Sequence, residues 1–245
     1  MLEVKGLTKS FGALRASDGI DFDVREGETH AVIGPNGAGK TTFIGQLAGN
    51  LRPDSGRIVF AGEDITALPA PKRARRGLAR SFQITSIYPE FSALENVALA
   101  VQAHAGHSFR FWRDARSDPR LLEPARGLLG EVGLGERLHV VAANMSHGEH
   151  RQLEVAMALA THPRLLLLDE PMAGMGAEES QRMIALLASL KARHAIILVE
   201  HDMDAVFRLA DRISVLVYGR IIATDAPQRI KMNEAVRKAY LGEEA

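Results

Sequence analysis

The 245-residue chain contains no cysteine. That removes disulfide staples, thiolate metal sites and a cysteine nucleophile together, and it fits a reducing compartment. Aromatic residues are scarce at 5%, with a single tryptophan. Neither sign of charge is in excess, since 30 basic side chains balance 30 acidic ones. A protein that reads a nucleic-acid backbone normally carries a basic surplus, so the balance argues against that class. Long hydrophobic runs are missing as well. Strictly apolar stretches such as Val155–Ala160 and Met183–Ala188 fall far short of the roughly twenty residues that cross a bilayer. The opening Met1-Leu-Glu-Val-Lys-Gly6 has no basic region leading into an apolar core, so no secretory leader is expected.

What is present suffices for one large domain. Apolar residues make up 46% of the chain, and a compact chain of this length buries roughly 70 to 75% of its unfolded surface, which excludes intrinsic disorder. Apolar alternation predicts short strands at Leu2–Leu7, Ile20–Val24, His30–Ile33 and Arg57–Ala61, with turns at Gly27-Glu28 and Asp54-Ser55-Gly56. Helical periodicity follows at Thr41–Ala48, Ala93–Ala103, Glu123–Val132 and Glu149–Ala160. After Pro163, apolar runs at Leu165–Leu168, Ala195–Val199 and Ile213–Val217 alternate with helical stretches at Glu178–Lys191 and Asp202–Leu209. Runs apolar on both faces are what a parallel sheet covered by helices requires.

Gly34-Pro35-Asn36-Gly37-Ala38-Gly39-Lys40-Thr41-Thr42 fits the phosphate-loop pattern and lies between a predicted strand and a predicted helix, the context such a loop needs. Glycine lets successive backbone N–H groups turn inward on phosphates, and the following helix adds its positive end. Lys40 would bridge the β- and γ-phosphates, and the Thr41 hydroxyl would take one position on Mg²⁺. Leu165-Leu-Leu-Leu-Asp169-Glu170 is a buried strand ending in two carboxylates. Beside a phosphate loop, Asp169 would hold Mg²⁺ and Glu170 would polarise an attacking water as general base. His201, in Glu200-His-Asp202, follows the next predicted strand. It can be an ordinary surface or core histidine, or it can contact the γ-phosphate and orient water.

With these features in order, the whole chain resembles the nucleotide-binding subunit of an ATP-binding cassette (ABC) transporter. Beside the two Walker motifs, Gln83 in Ser81-Phe-Gln83 resembles the Q-loop, Ser146-His-Gly148-Glu-His150 the family signature, Ala173-Gly-Met-Gly176 the D-loop and His201 the switch histidine. Phe11 is similar to the aromatic residue that stacks on adenine; the alternative for it is a strand-end core residue. Within the family, Ala79-Arg-Ser-Phe-Gln83, the insert from Ala103 to Pro124 and the terminal Ala239-Tyr-Leu-Gly242 are most similar to the ATPases of branched-chain amino acid importers. Met145–Gly148 and Ala173–Met175 also resemble those of urea importers, and the terminal motif is shared with lipopolysaccharide exporters.

The resemblance implies an α/β P-loop ATPase with an N-terminal antiparallel β portion and an inserted α-helical subdomain. Residues 1–83 and 163–232 would form the ATPase core, 84–162 the helical signature subdomain and 233–245 a tail. It implies ATP and Mg²⁺ as ligands. Gln83 would join Glu170 and His201 in positioning the γ-phosphate and water, and would join Thr41 and Asp169 on the metal. Ser146 and Gly148 would meet the γ-phosphate held by the Walker A loop of a second, non-identical ATPase subunit. The other implied partners are integral membrane permease subunits and, through them, a solute-binding protein; no nucleic acid is expected. The implied location is peripheral, on the cytoplasmic face of the inner (plasma) membrane. A soluble cassette protein acting on DNA or ribosomes is the rival from another class, but it usually carries two cassettes or a long coiled coil, and neither is here.

The departures are Met145, His147 and Glu149 in a signature that usually reads Leu-Ser-Gly-Gly-Gln, and Gly176 where the D-loop commonly has aspartate. His147 and Glu149 would alter the fine geometry, and Gly176 removes a side-chain contact across the dimer. Two clusters take a plain reading. Lys72, Arg73, Arg75, Arg76 and Arg80 read as a solvated helix face, and Phe109, Phe111 and Trp112 as an insert covering its own small core or a protein partner. The segment Ile84–Phe91 is expected to line a groove for a short permease helix.

Overall fold

The computed structural model describes residues 1–80, 87–106 and 117–241. Gln83, the 109–112 aromatics and the first three residues of Ile84–Phe91 lie outside them. Two sheets organise the described chain. The first is antiparallel, in the order β2 (Leu14–Val24), β1 (Leu2–Phe11), β4 (Ser55–Phe60) and β5 (Glu63–Asp64). Ser55 and Gly56, expected in a turn, instead open β4. The reason is close packing: a Cβ on Gly56 would stand 2.5 Å from the carbonyl oxygen of Gly6 in the neighbouring strand.

The second sheet carries the order β10 (Arg220–Asp225), β9 (Arg212–Val217), β3 (Thr29–Ile33), β8 (Ala195–Val199), β7 (Leu165–Asp169) and β6 (Leu78–Arg80). Five of these strands run parallel and β10 closes one edge antiparallel. β6 and β10 went unread in the sequence, the first because it is three residues long and the second because its burial alternates only between half-buried and exposed.

β3, β7 and β8 are buried at every position, as their two-sided apolarity predicts. Their pleat divides the core. Leu165 and Leu167 of β7 and Ala195, Ile197 and Val199 of β8 join the cluster containing Leu2, Val4, Ile58 and Phe60 of the antiparallel sheet and Phe43 of α1 (Lys40–Ala48). Leu166, Leu168, Ile196 and Leu198 join the opposite cluster. That cluster is built with α3 (Ala93–Ala105), α4 (Pro119–Glu131), α5 (His147–Leu159) and α6 (Ala177–Leu190). Full burial of each such side chain contributes about 1.5 to 3 kcal/mol, so both faces of the sheet are held in place. The remaining helices are α2 (Ala70–Ala74), α7 (Met203–Leu209), α8 (Pro227–Met232) and α9 (Glu234–Leu241).

The basic run is not one solvated face. Arg73 is only 1% exposed. Its guanidinium donates to Gln46 O and Leu47 O at 2.7 Å each, to Leu68 O at 2.8 Å and to Thr66 O at 3.0 Å. It thereby satisfies the carbonyls that the end of α1 leaves open, at the negative end of that helix dipole. Burial lowers its pKa to about 10, which still leaves it charged at neutral pH. Lys72, Arg75 and Arg76 are exposed, and Arg80 turns inward on β6.

Candidate functional site

The sheet positions the site. In parallel α/β sheets ligands gather beyond the carboxyl ends of the strands, and four predicted features leave β3, β7 and β8 at that end. β3 runs into Gly34. A Cβ there would lie 2.0 Å from Leu216 O, and one on Gly39 would lie 2.2 Å from Ala16 O of β2, so both positions require glycine. Pro35 O accepts from Ala38 N at 3.2 Å, and Ala38 O from Gly219 N at 2.9 Å, which ties the loop to itself and to the β9–β10 turn. Asn36 and Gly37 form its outer bend, Gly37 with φ of +77°. α1 then begins at Lys40, without a side-chain cap on its first turn. Thr41 and Thr42 follow in that turn. The Lys40 ammonium is buried beside Gly34 O at 2.6 Å and Pro35 O at 3.0 Å. An uncapped helix start with a buried ammonium in its mouth is suited to polyphosphate.

β7 delivers the carboxylates. Asp169 pairs in register with Val199 of β8 and shares its face of the pleat with Leu167, the α1 side. Burial pushes its carboxyl above the ordinary range, opposed by Arg80 and, more weakly, by Lys40. The next residue, Glu170, is held at φ of +52°, a strained value for a residue with a side chain. Its backbone N–H bonds to Val199 O at 2.8 Å, and its Oε1 accepts from His201 Nε2 at 2.7 Å. Both side chains are partly exposed, so the pair can meet a ligand. A buried cationic lysine, a buried carboxylate and the uncapped helix start form a set that fits a nucleotide with a hard divalent cation.

Phe11 stands apart from the core, 50% exposed at the tip of the β1–β2 hairpin, where it pairs with Leu14 and lies 5.7 Å beneath the Lys9 ammonium. The alternative of a buried strand-end residue is therefore set aside. The same β2 strand touches Gly39 through Ala16 O, so Phe11's hairpin is attached to the phosphate loop.

Ser146 and Gly148 are not part of this cluster. Ser146 caps α5, its Oγ accepting from Glu149 N at 3.2 Å while Glu149 Oε2 accepts from Ser146 N at 2.8 Å. Glu149 is thus the return half of a capping box, and it also pairs with Arg137 at 2.7 Å. His147 Nε2 bonds to Ala173 O at 2.8 Å. These two departures from the usual signature form ordered contacts within the chain, one to its own helix and one to the segment after Glu170.

Comparison with known proteins decides the family. Residues 17–173 match the ABC transporter family, and residues 220–245 match the branched-chain amino acid ATP-binding cassette transporter family. The chain belongs to the ABC transporter family. A relative from Pseudomonas aeruginosa, the high-affinity branched-chain amino acid transport ATP-binding protein BraF, is 40% identical over 99% of this chain and 98% of its own. LivG of Escherichia coli K12, named for the same transport, is 36% identical with 99% and 98% covered. A nucleotide-free cassette of an ABC transporter superposes with a TM-score of 0.87 at 26% identity, covering 98% of both chains. A cassette in its ADP conformation does so at 0.87 and 27%, covering 99% of this chain and 98% of its own. As a cassette of this family the chain is an ATP-driven transport subunit, an ATPase.

Three ABC-site neighbours escaped the sequence reading. Arg80 Nη2 donates to Asp169 Oδ2 at 2.9 Å. Glu200, 4% exposed, takes Met172 N on Oε1 at 2.8 Å and His201 N on Oε2 at 2.8 Å, so one buried carboxylate fixes the backbones that carry both Glu170 and His201. Glu179 bonds to Ser146. Arg80 and Glu200 lie in stretches already singled out for Gln83 and His201, yet nothing in the local pattern of any of the three separates it from a surface charge. Among the described residues no helix is long and apolar enough to cross a membrane.

Proposed function

We propose that this chain hydrolyses ATP to drive an importer of branched-chain amino acids. The observation that carries the reading is its 40% identity, end to end, with a branched-chain amino acid transport ATP-binding protein, joined by the match of residues 220–245 to the corresponding family. In this reading Phe11 stacks on adenine, residues 34–42 bind the phosphates with Lys40 on the β/γ pair, and Thr41, Asp169 and Gln83 hold Mg²⁺. Bound there, Mg²⁺ neutralises charge on the phosphate oxygens. Glu170 accepts the proton of the attacking water. His201 holds the Glu170 carboxylate in line through its 2.7 Å bond, and Gln83 positions water. The domain limits given above (1–83 with 163–232, 84–162 and 233–245) belong to the same reading.

The partners follow. A second cassette, not identical to this one, closes on it so that Ser146 and Gly148 meet that subunit's γ-phosphate. Integral membrane permease subunits dock on the segment ending at Phe91, and a solute-binding protein delivers solute from outside. The chain then sits on the cytoplasmic face of the inner membrane. Supporting the docking site, Tyr88 is half exposed and stacks on Phe91 with ring centroids 5.2 Å apart, and buried Asn96 clamps Tyr88 through its N–H at 2.8 Å and its carbonyl at 3.1 Å. The decisive experiment is purification with its co-purifying subunits, reconstitution in liposomes, and ATP-dependent uptake of radiolabelled leucine. Uptake of urea with no uptake of leucine would overturn the solute assignment.

A further inference from the structure

Glu179 lies in the first turn of α6, yet its carboxylate is spent on the start of α5. Oε1 accepts from Ser146 Oγ at 3.0 Å, the same carboxylate lies against the Gly148 backbone, and Oε2 lies 3.4 Å from Gly176 N. The fit is tight: a Cβ on Gly148 would stand 2.6 Å from Oε1. The Ser146 bond, followed by the Gly176 N–H, holds the carboxyl below its ordinary range, so the group is an anion at neutral pH.

The Ser146 hydroxyl and Gly148 N–H are the donors that the proposed function assigns to the γ-phosphate of the partner cassette, and the present inference rests on that assignment. Two anions cannot share one hydroxyl and one N–H at contact distance without strong repulsion. We propose that Glu179 is an in-chain competitor for that phosphate, seated in the signature cradle of the lone subunit and displaced when the cassettes close.

A second seat is at hand. A cavity of about 360 Å³ opens beside the cradle and is lined by Ser146, Gly148, Glu179 and Arg182. Arg182 is three positions further along α6, within side-chain reach of Glu179, and is now bonded to exposed Glu178 at 2.8 Å. Rotation of Glu179 onto Arg182 would free both donors of the cradle and, with them, the Gly176 N–H of the D-loop. Arrival of phosphate at Ser146 and release of the D-loop would then be one event, made without the aspartate that other D-loops carry.

The test uses the full chain and inorganic phosphate, read at the Gly148 amide by ¹H–¹⁵N NMR. Glu179→Gln keeps the size and the cap on Gly176 but loses the charge, and phosphate is expected to bind at Gly148 about tenfold more tightly than in the parent. Arg182→Ala, a change confined to an exposed ion pair, removes the second seat and should weaken phosphate at Gly148 about threefold. Unchanged or weaker phosphate binding in Glu179→Gln, with its fold intact by circular dichroism, would overturn the proposal, and so would an Arg182→Ala variant indistinguishable from the parent. ATP binding measured on the same samples separates the two ideas: loss of nucleotide binding in the parent would strike the assigned function, while the phosphate titration at Gly148 would still decide the role of Glu179.

Discussion

Arg80 and Asp169 form an ion pair at 2.9 Å across the ends of two neighbouring parallel strands, with side-chain exposures of 12% and 3%. Asp169 must be ionised to hold a cation, and burial works against that charge; the guanidinium beside it offsets part of that cost, while the carboxyl still stays above its ordinary range. Because Arg80 is the last residue of β6, the pair also joins that strand to the acid at the end of β7.

Replacing Arg80 by Met should therefore leave a buried carboxylate without its main counter-charge and cost about 3 kcal/mol of stability. Urea unfolding without nucleotide measures this directly. Added Mg²⁺ with ATP should raise the midpoint of the variant more than that of the parent, since the cation supplies charge at the same carboxylate. Equal midpoints in parent and variant would show that the pair contributes nothing.

Lys40→Ala should abolish ATP binding. Its ammonium is already buried in the loop mouth, on Gly34 O and Pro35 O, and no other lysine belongs to the loop or α1. Calorimetric titration that returned the parent affinity would remove the loop from the nucleotide site.

Glu170→Gln and His201→Ala should both bind ATP and fail to turn it over, with kcat down by about 10² to 10⁴. Glutamine keeps the shape but cannot take the proton, and loss of His201 removes the 2.7 Å bond that aims Glu170. The double variant should be little worse than Glu170→Gln alone, because the two act as a unit. Additive losses in single-turnover hydrolysis would assign His201 a separate role.

Phe11→Ala should weaken nucleotide binding by about 1 to 3 kcal/mol, with little difference between adenine and guanine nucleotides, because stacking reads the face of a base and not its edge. Its half-exposed position means that the fold should not suffer. Parent affinity in the variant would place the base elsewhere.

His30 predicts the acid limb of stability. It is buried against Phe22, with Nδ1 on Asp23 O and Nε2 beside Ser214 Oγ, each at 2.8 Å. Burial, with Arg212 adding to it and Glu28 and Asp23 opposing, pulls its pKa from 6.5 to about 4. The unfolded chain binds the proton first, so this contribution is fully present above about pH 6.5 and is lost as pH falls toward 4. A loss of about 2 kcal/mol between pH 7 and 5 is expected. The same pH dependence in His30→Asn would assign it to other groups.

The sequence by itself determined the phosphate loop, the strands that bear it and the paired acids, because those signals are local. Glycine spacing, a strand apolar on both faces and a pair of acids at its end each act within a few residues of where they are read. Tertiary structure decided which charges matter. Arg80 meets Asp169 across 89 positions, Ser146 meets Glu179 across 33 and Met172 meets Glu200 across 28. In the sequence Arg73 is one basic residue among five, and only the docking of α2 against the end of α1 turns it into a cap. An isolated charge looks the same whether water or a distant partner surrounds it. Its role is set by the desolvation that folding imposes and by the one group folding brings within 3 Å.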